Sequence, residues 1–249
     1  MPRFLCLPGY FQSGKVFAEK SSGFRKTLTK KLGYELEYLD APIRIEKKED
    51  LPFSLGINEK EANEKWEYLV KKNVNRCWFD YHDGIYDRFQ EAYDFLIDHI
   101  RKNGPYDGIV GFSQGASMAA IIANSIHLHP DLPPFKVAVL FSGFAFTVSG
   151  SDAKSDNESL EEFAARSWVN KDYEKYYQLP KSSGTTIITV YGSEDGVVPP
   201  LRTQYLTSLY GEGATSFEHD GGHYLPNKRE ILDPIVEKIR GAVELKASL

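Results

Sequence analysis

The pentapeptide Gly111-Phe112-Ser113-Gln114-Gly115 places a serine between two glycines, at the spacing of a hydrolytic nucleophile. A very short apolar strand precedes it, and residues 116–126 are predicted to form a buried helix. The glycines let strand and helix converge on a tight turn that lifts the serine hydroxyl clear of the sheet. The free N–H groups of a helix N-terminus favour developing negative charge there. The alternative is that Ser113 merely caps the helix.

A serine hydroxyl is a poor nucleophile without a base, and a histidine base needs an acid to hold its tautomer. The expected chain order is serine, acid, histidine, with acid and base each following a later strand. The strand predicted over residues 186–191 ends in a loop that contains Asp195, with Glu194 as the rival acid. After the next strand come His219 and His223. We predict His223 as the base, because it follows a Gly-Gly turn, whereas His219 still belongs to the strand.

Two backbone amides are predicted to bind the oxyanion that forms when a serine attacks an acyl carbonyl. One belongs to Gln114, directly after the serine, and the other to the loop that follows the first predicted strand. In that loop Gly9 permits close approach of the backbone. Tyr10 provides the predicted donor, because Pro8 has no N–H.

Strands and helices alternate along the chain that carries these residues. Continuous apolar strands are predicted over 135–141 and 186–191, as expected where both faces of a parallel sheet are covered. Helical spacing is clearest over 86–102 and in a final helix around 231–243. We therefore expect one α/β domain over residues 1–249, with a mostly parallel sheet and helices on both faces.

Two long insertions, at about residues 43–83 and 149–184, interrupt the alternation. The first is rich in Lys and Glu with a helical patch over 59–72, and the second begins with the polar run Ser149-Gly150-Ser151-Asp152. Connections of this length are usually lids or binding loops. All three tryptophans lie in them, and such aromatics either anchor the insertions or roof an apolar substrate cleft. The predicted substrate contacts are Phe11, Trp78, Phe79 and Trp168.

Composition and charge exclude several classes of protein. With 249 residues, 41% hydrophobic and 26% charged, the chain has the profile of a globular protein and not of a disordered or fibrous one. Thirty basic against 35 acidic residues disfavour nucleic-acid binding. Cys6 and Cys77 are too few for a disulfide framework and fit a reducing compartment. Without a predicted signal peptide or membrane span, we expect a cytoplasmic protein with no integral membrane contact.

Two competing motifs are weaker. Residues 9–16 match the phosphate-binding pattern G-x-x-x-x-G-K-[ST] except at the last position, where Val16 has no hydroxyl for magnesium. Nucleotide binding is therefore the less favoured alternative. No metal site is predicted, because the Gly-Gly between His219 and His223 prevents the helix that would aim both at zinc. A further alternative is a non-catalytic protein that keeps the fold and holds an apolar ligand or partner.

With these residues identified, the chain resembles the FSH family of serine hydrolases, a fungal and broader eukaryotic branch of the α/β-hydrolase superfamily. The most specific stretch is Tyr106–Ala116, and Asp195, Val198-Pro199 and Gly221-Gly222-His223 also match. One departure is Pro8-Gly9, where relatives commonly carry His-Gly after the first strand.

The resemblance implies an α/β-hydrolase fold with lid-like insertions and no cofactor. It implies that Ser113 is the nucleophile, Asp195 the orienting acid and His223 the base. It also implies hydrolysis of carboxylic esters or thioesters of apolar acyl chains, so we expect a small-molecule substrate. Some relatives act as thioesterases that release polyketides from carrier proteins.

Overall fold

The computed structural model describes residues 1–148, 158–180 and 183–245. Its strands are β1 (Arg3–Leu7), β2 (Glu35–Tyr38), β3 (Ile43–Arg44), β4 (Arg76–Cys77), β5 (Asp80–His82), β6 (Ile85–Asp87), β7 (Gly108–Phe112), β8 (Val137–Phe141), β9 (Thr186–Gly192) and β10 (Ala214–His219). Its α-helices are α1 (Gly14–Lys20), α2 (Ser22–Lys26), α3 (Glu59–Lys71), α4 (Phe89–Asn103), α5 (Gln114–Ser125), α6 (Leu160–Arg166), α7 (Pro200–Ser208) and α8 (Arg229–Leu245). Shorter helical turns cover Thr27–Lys31, Lys48–Asp50, Ile126–Leu128, Lys171–Tyr177 and Gly211–Gly213.

The central sheet has six strands in the order β10-β9-β8-β7-β1-β2. Every neighbouring pair in it is parallel, which confirms the predicted mostly parallel sheet. The carboxyl ends of all six strands therefore lie at one edge, where open α/β sheets bind their ligands. Two short antiparallel pairs, β3 with β4 and β5 with β6, belong to the chain between β2 and α4.

The sheet is covered on both faces, as the continuous apolar strands predict. Every residue of β7 and β8 is buried. Along β1, Leu5 and Leu7 pack into one apolar cluster, whereas Phe4 and Cys6 pack into the other. Helices α4, α5 and α7 contribute to the first cluster, and α1, α2 and α8 to the second. All twelve residues of α5 are buried, so the predicted nucleophile precedes the most enclosed helix of the described chain.

Helix boundaries differ from the sequence prediction at one informative place. Helical spacing predicts a helix from Tyr86, yet α4 begins at Phe89. The residues before it form an antiparallel hairpin in which Asp80 pairs with Asp87. Gly84 at the hairpin turn has a φ of 84°, and Arg88 a φ of 62°, so the backbone cannot continue the helix backwards. Apolar spacing alone does not reveal this hairpin.

The first insertion is anchored to the sheet through Trp78, which has no exposed surface. Its indole Nε1 donates a hydrogen bond of 2.8 Å to the carbonyl oxygen of Pro8, in the loop after β1. In the second insertion, α6 starts with a capping box formed by Ser159 and Glu162. The predicted polar run over residues 149–152 lies outside the described residues. Among the helices that are described, none combines the length and apolar character needed to cross a bilayer.

We predict that Trp78→Ala lowers the free energy of unfolding by about 3–5 kcal/mol, because it leaves a large cavity under the insertion. Trp168→Ala is the matched control, since the Trp168 side chain is half exposed and its loss should change stability by no more than about 0.5 kcal/mol. Chemical denaturation followed by circular dichroism measures both values. Equal effects of the two substitutions would contradict the anchoring role of Trp78.

Candidate active site

Ser113 occupies the turn between β7 and α5 in a strained backbone conformation. Its φ of 54° and ψ of −122° lie in a region that side-chain-bearing residues rarely adopt. Its amide donates to the carbonyl of Phe141, which extends the β7–β8 hydrogen-bond ladder by one residue. The Ser113 side chain makes no capping bond to α5, so the helix-cap alternative does not describe this residue.

The glycines around Ser113 are required by close backbone packing. A Cβ on Gly111 would lie 2.2 Å from the carbonyl oxygen of Gly115, and one on Gly115 would lie 2.3 Å from the carbonyl oxygens of Leu7 and Pro8. A Cβ on Gly9 would lie 3.3 Å from the Cβ of Ser113. The loop after β1 therefore runs directly against the Ser113 turn, where the predicted oxyanion donor would have to lie.

Asp195 and His223, 28 residues apart in the chain, meet in a hydrogen bond. The Nδ1 of His223 lies 2.8 Å from Oδ2 of Asp195. The other carboxylate oxygen, Oδ1, accepts the amides of Val197 at 3.0 Å and Val198 at 2.8 Å. Asp195 is 3% exposed and both of its carboxylate oxygens accept hydrogen bonds, whereas the rival acid Glu194 is exposed.

The sheet explains why these two side chains meet. Strands β9 and β10 are parallel neighbours, with Gly192 opposite His219 in the register. Beyond the strand ends, the amide of Ser193 donates to His219 and that of Glu194 donates to Gly221. A Cβ on Gly192 would lie 2.1 Å from the Gly221 carbonyl oxygen, so the two loops pack together only because residue 192 is glycine.

The charge of Asp195 is stabilised against its burial. Burial by itself raises the pKa of this carboxyl. The hydrogen bond and charge of His223, the Val198 amide and the Ser142 hydroxyl together lower the pKa by more than burial raises it, so the net shift is downward. An ionised carboxylate only accepts hydrogen bonds, so Nδ1 of His223 is the donor. Nε2 is then the basic nitrogen of the imidazole, as general-base chemistry requires.

The structure brings Ser113 and His223 into the same neighbourhood without a hydrogen bond between them. The imidazole lies 4.7 Å, centroid to centroid, from the ring of Phe112, the residue before the serine. It also lines a cavity of about 290 Å³ together with Phe112. Within the described residues, neither the Ser113 hydroxyl nor Nε2 of His223 has a hydrogen-bond partner, which leaves both available to a substrate. Hydrogen bonds between catalytic groups are often long in substrate-free structures and tighten when substrate binds.

The predicted oxyanion amides are free of internal acceptors. Neither the Tyr10 nor the Gln114 N–H donates to another group in the part of the chain that is described. Phe11, which follows Tyr10, has a φ of 55°. Its N–H donates a hydrogen bond of 2.8 Å to the carbonyl oxygen of Arg76. Pro8 is the departure from the family pattern, and its carbonyl oxygen accepts a hydrogen bond from the Trp78 indole N–H. This bond holds the loop in place although the histidine of the family pattern is missing.

The four predicted substrate contacts have different environments. Phe11 is partly exposed beside the loop after β1 and stacks on Trp66 at 6.1 Å. Trp78 and Phe79 are 0% and 1% exposed, so neither can touch a substrate without rearrangement, and the anchoring interpretation describes them better. The Gln114 side chain holds their backbone, accepting from the Trp78 amide at 3.1 Å and donating to the Phe79 carbonyl at 3.0 Å. Trp168 is 50% exposed.

The competing assignments find less support. His219 ends β10, is 5% exposed, and has a pKa lowered chiefly by burial.

In the P-loop-like segment, the Gly14 amide donates to Asp40 at 2.7 Å and the Val16 amide to the Ser13 hydroxyl at 3.3 Å. These amides are therefore not available to cradle a phosphate. Over the described ranges, no three His, Cys, Asp or Glu side chains are grouped as a metal site requires.

Sequence reasoning missed Ser142, which follows β8 at the same edge of the sheet. It is 1% exposed and has a φ of 48°, and its hydroxyl is one of the groups that lower the pKa of Asp195. The position directly after a buried parallel strand was the available signal, since Ser113 and Asp195 also follow such strands.

A serine on a strained turn between a central strand and a buried helix, with a carboxylate–imidazole pair at later strand ends, is the arrangement typical of a serine hydrolase of the α/β-hydrolase fold. The profile described as "Serine hydrolase (FSH1)" matches residues 1–235, so the chain belongs to this serine hydrolase family. The resemblance predicted from the sequence is thus confirmed.

Individual relatives agree with this assignment. "Family of serine hydrolases 2" from Saccharomyces cerevisiae is 30% identical over 94% of this chain and 95% of its own length. "Esterase OVCA2" from Bos taurus is 28% identical over 90% of this chain and 89% of its own. The crystal structure of Zea mays acyl-protein thioesterase 2 aligns with a TM-score of 0.53 and 16% identity, over 97% of this chain and 94% of that one, which shows a shared fold.

We predict that Gly111→Ala disrupts the Ser113 turn, because the added Cβ would collide with backbone atoms that cannot move aside. The free energy of unfolding should fall by about 1–3 kcal/mol or more, as in other overpacked sites. Gly196→Ala, next to Asp195, is the matched control, since a Cβ there meets no atom within 4 Å. Thermal unfolding of the two variants checks this, and a Gly111→Ala protein as stable as the control would refute the packing argument.

Proposed function

We propose that the chain hydrolyses carboxylic esters or thioesters of apolar acyl chains through an acyl-enzyme on Ser113, with His223 as base and Asp195 as orienting acid. The observation that carries the proposal is the 2.8 Å bond from His223 to a buried Asp195, at the same sheet edge as the strained Ser113 turn. Family membership supports hydrolysis, and this geometry supports the residues and their roles.

In the proposed reaction, Ser113 Oγ bonds to the acyl carbon while its proton passes to Nε2 of His223. The carbonyl oxygen becomes an oxyanion and accepts the amides of Tyr10 and Gln114. The tetrahedral intermediate then expels the alcohol or thiol, which takes the proton from His223, and an acyl ester on Ser113 remains. Water attacks this ester with His223 again as base, which releases the carboxylic acid and restores the serine. No cofactor is needed for any of these steps.

Throughout the cycle Asp195 acts on His223 alone. Its Oδ2 holds the Nδ1 proton, which keeps Nε2 directed to the substrate and stabilises the imidazolium once formed. The two amides on Oδ1 and the Ser142 hydroxyl keep the carboxylate ionised and oriented. Ser142 is therefore a positioning residue in this proposal.

A non-catalytic binding protein on the same fold is less well supported. Backbone strain of the kind found at Ser113 destabilises a fold by about 1–3 kcal/mol per residue and persists where function requires it. A binding role also gives no reason to bury Asp195 against His223. The esterase name of a relative aligned over most of its length points to ester chemistry as well.

We predict that Ser113→Ala lowers kcat/KM for p-nitrophenyl acyl esters by at least about 10³-fold, because the nucleophile is lost. It should also abolish labelling by a fluorophosphonate probe. Ser193→Ala is the matched control, an exposed serine in the loop before Asp195, and it should keep full activity and labelling. Asp195→Asn should lower kcat by about 10³–10⁴-fold, whereas Glu194→Gln should not.

Retained hydrolysis and labelling in Ser113→Ala would refute the nucleophile assignment. Equal losses in Asp195→Asn and Glu194→Gln would refute the assignment of the acid. A parent protein that neither hydrolyses esters nor reacts with the probe would favour the binding-protein alternative.

We predict that kcat/KM rises about tenfold or more from acetate to octanoate esters, because each added methylene is removed from water against an apolar surface. The partly exposed ring of Phe11, beside the proposed oxyanion loop, is the candidate surface. A panel of p-nitrophenyl esters and acyl-coenzyme A thioesters of increasing length measures the preference and separates esters from thioesters. Faster hydrolysis of acetate than of octanoate would contradict an apolar acyl site.

A further inference from the structure

A cavity of about 660 Å³ is lined by residues of α1 and α3 and includes neither Asp195 nor His223 in its lining. We refer to it as the lysine cavity, because its lining contains five lysines and one acidic residue, Glu19. The lysines are Lys15, Lys20, Lys65, Lys71 and Lys72. A site of this size is typical of small-molecule ligands. The cationic lining is unexpected in a chain of net charge −5.

Helix α3 contributes lysines but no glutamate to the lining of the cavity. Lys65, Tyr68, Leu69 and Lys72 are spaced i, i+3, i+4 and i+7, so they share one face, and all four line the cavity. The glutamates of the helix do not line it; these are Glu59, Glu61, Glu64 and Glu67. The lysines of this face thus line the cavity, whereas none of the four glutamates does.

The lysines of the cavity are not neutralised by internal partners. Within the described residues, none of the five forms an ion pair, and Lys72 instead lies 5.6 Å from the ring centroid of Tyr68. Close like charges repel one another, and a bound anion relieves this repulsion.

Part of the cavity lining is apolar and exposed to solvent. Phe53 is 46% exposed and Tyr68 is 58% exposed, which is high for large rings. Phe53 packs edge-on against Phe11 at 5.9 Å, and Leu55 and Leu69 extend the apolar surface. Exposed apolar patches bordered by charge commonly mark binding sites. The lining thus combines a hydrocarbon surface with a cationic border.

We infer that the lysine cavity binds an anionic amphiphile, a hydrocarbon chain that ends in a phosphate or carboxylate group. The chain lies against Phe11, Phe53 and Leu69, and the anionic group is held by Lys65 and Lys72 from α3 with Lys15 and Lys20 from α1. Recognition is by lysine side chains and not by a P-loop, because Asp40 and Ser13 occupy the amides at the start of α1.

The lysine cavity adjoins the candidate active site through Lys20. This residue lines both the lysine cavity and the smaller cavity that contains His223. Phe11 of the lysine cavity directly follows Tyr10, the proposed oxyanion donor. Binding here does not require hydrolysis, so it is measured independently of the reaction at Ser113.

Isothermal titration calorimetry with the full chain at low salt tests the inference. The probes are octyl phosphate and octanoate, with octyl glucoside as the uncharged counterpart and inorganic phosphate as the head group alone. We expect at least one of the two anionic amphiphiles to bind about tenfold or more tightly than octyl glucoside and inorganic phosphate. The two affinities then distinguish a phosphate from a carboxylate ligand. Raising the salt concentration should weaken the binding of the tighter anionic probe and leave the affinity for octyl glucoside unchanged.

The double variant Lys65→Gln/Lys72→Gln should raise the Kd of the tighter anionic probe about tenfold. The control Lys47→Gln/Lys60→Gln makes the same change in net charge with exposed lysines outside the cavity, and should leave the Kd unchanged. Equal losses in both double variants would overturn the assigned site. Octyl glucoside or inorganic phosphate binding as tightly as the anionic amphiphiles, or no binding of either amphiphile, would overturn the ligand class.

Discussion

The close approach of three backbone segments around Ser113 is the constraint on which the rest of the site depends. The end of β1, the end of β7 and the start of α5 come together at distances where Gly111 and Gly115 have no room for a Cβ. This packing holds Ser113 at a positive φ and places the loop after β1 beside it. The proposed nucleophile and the proposed oxyanion donors thus depend on the same packing, because the contact that holds Ser113 at a positive φ also brings the Tyr10 loop close to it.

Short contacts between loops also stabilise the buried charge of Asp195 at the neighbouring strand ends. Asp195 is almost fully removed from water, which by itself favours its neutral form. Two amides, one hydroxyl and the His223 imidazole keep it ionised, and each partner comes from a segment that follows β8, β9 or β10. A parallel sheet makes this possible, since loops distant in sequence meet at one edge. The lysine cavity has the opposite character, with cations that stay exposed on a partly apolar surface.

The aromatic residues show where sequence reasoning stops. Trp78, Phe79, Phe11 and Trp168 looked alike as candidates for a substrate cleft, because each lies in or beside a loop or insertion. In the structure Trp78 and Phe79 are enclosed and hold the insertion to the Pro8 loop and Gln114, whereas Trp168 is half exposed. Exposure depends on which surfaces meet across the fold, and no local pattern of residue types carries that information.

The sequence by itself determined the sheet, the order of the candidate residues and the family, because these depend on local patterns: apolar strands, paired glycines and acid or base at strand ends. Only the tertiary structure shows that Asp195 bonds to His223 whereas Glu194 is exposed, since neighbouring residues differ in which one turns inward. It alone revealed that the Ser142 hydroxyl helps to lower the pKa of Asp195, and that α1 and α3 bring their lysines to one cavity. The physical reason is that periodicity records which face of an element is buried, whereas a site is made by contacts between elements that periodicity does not encode.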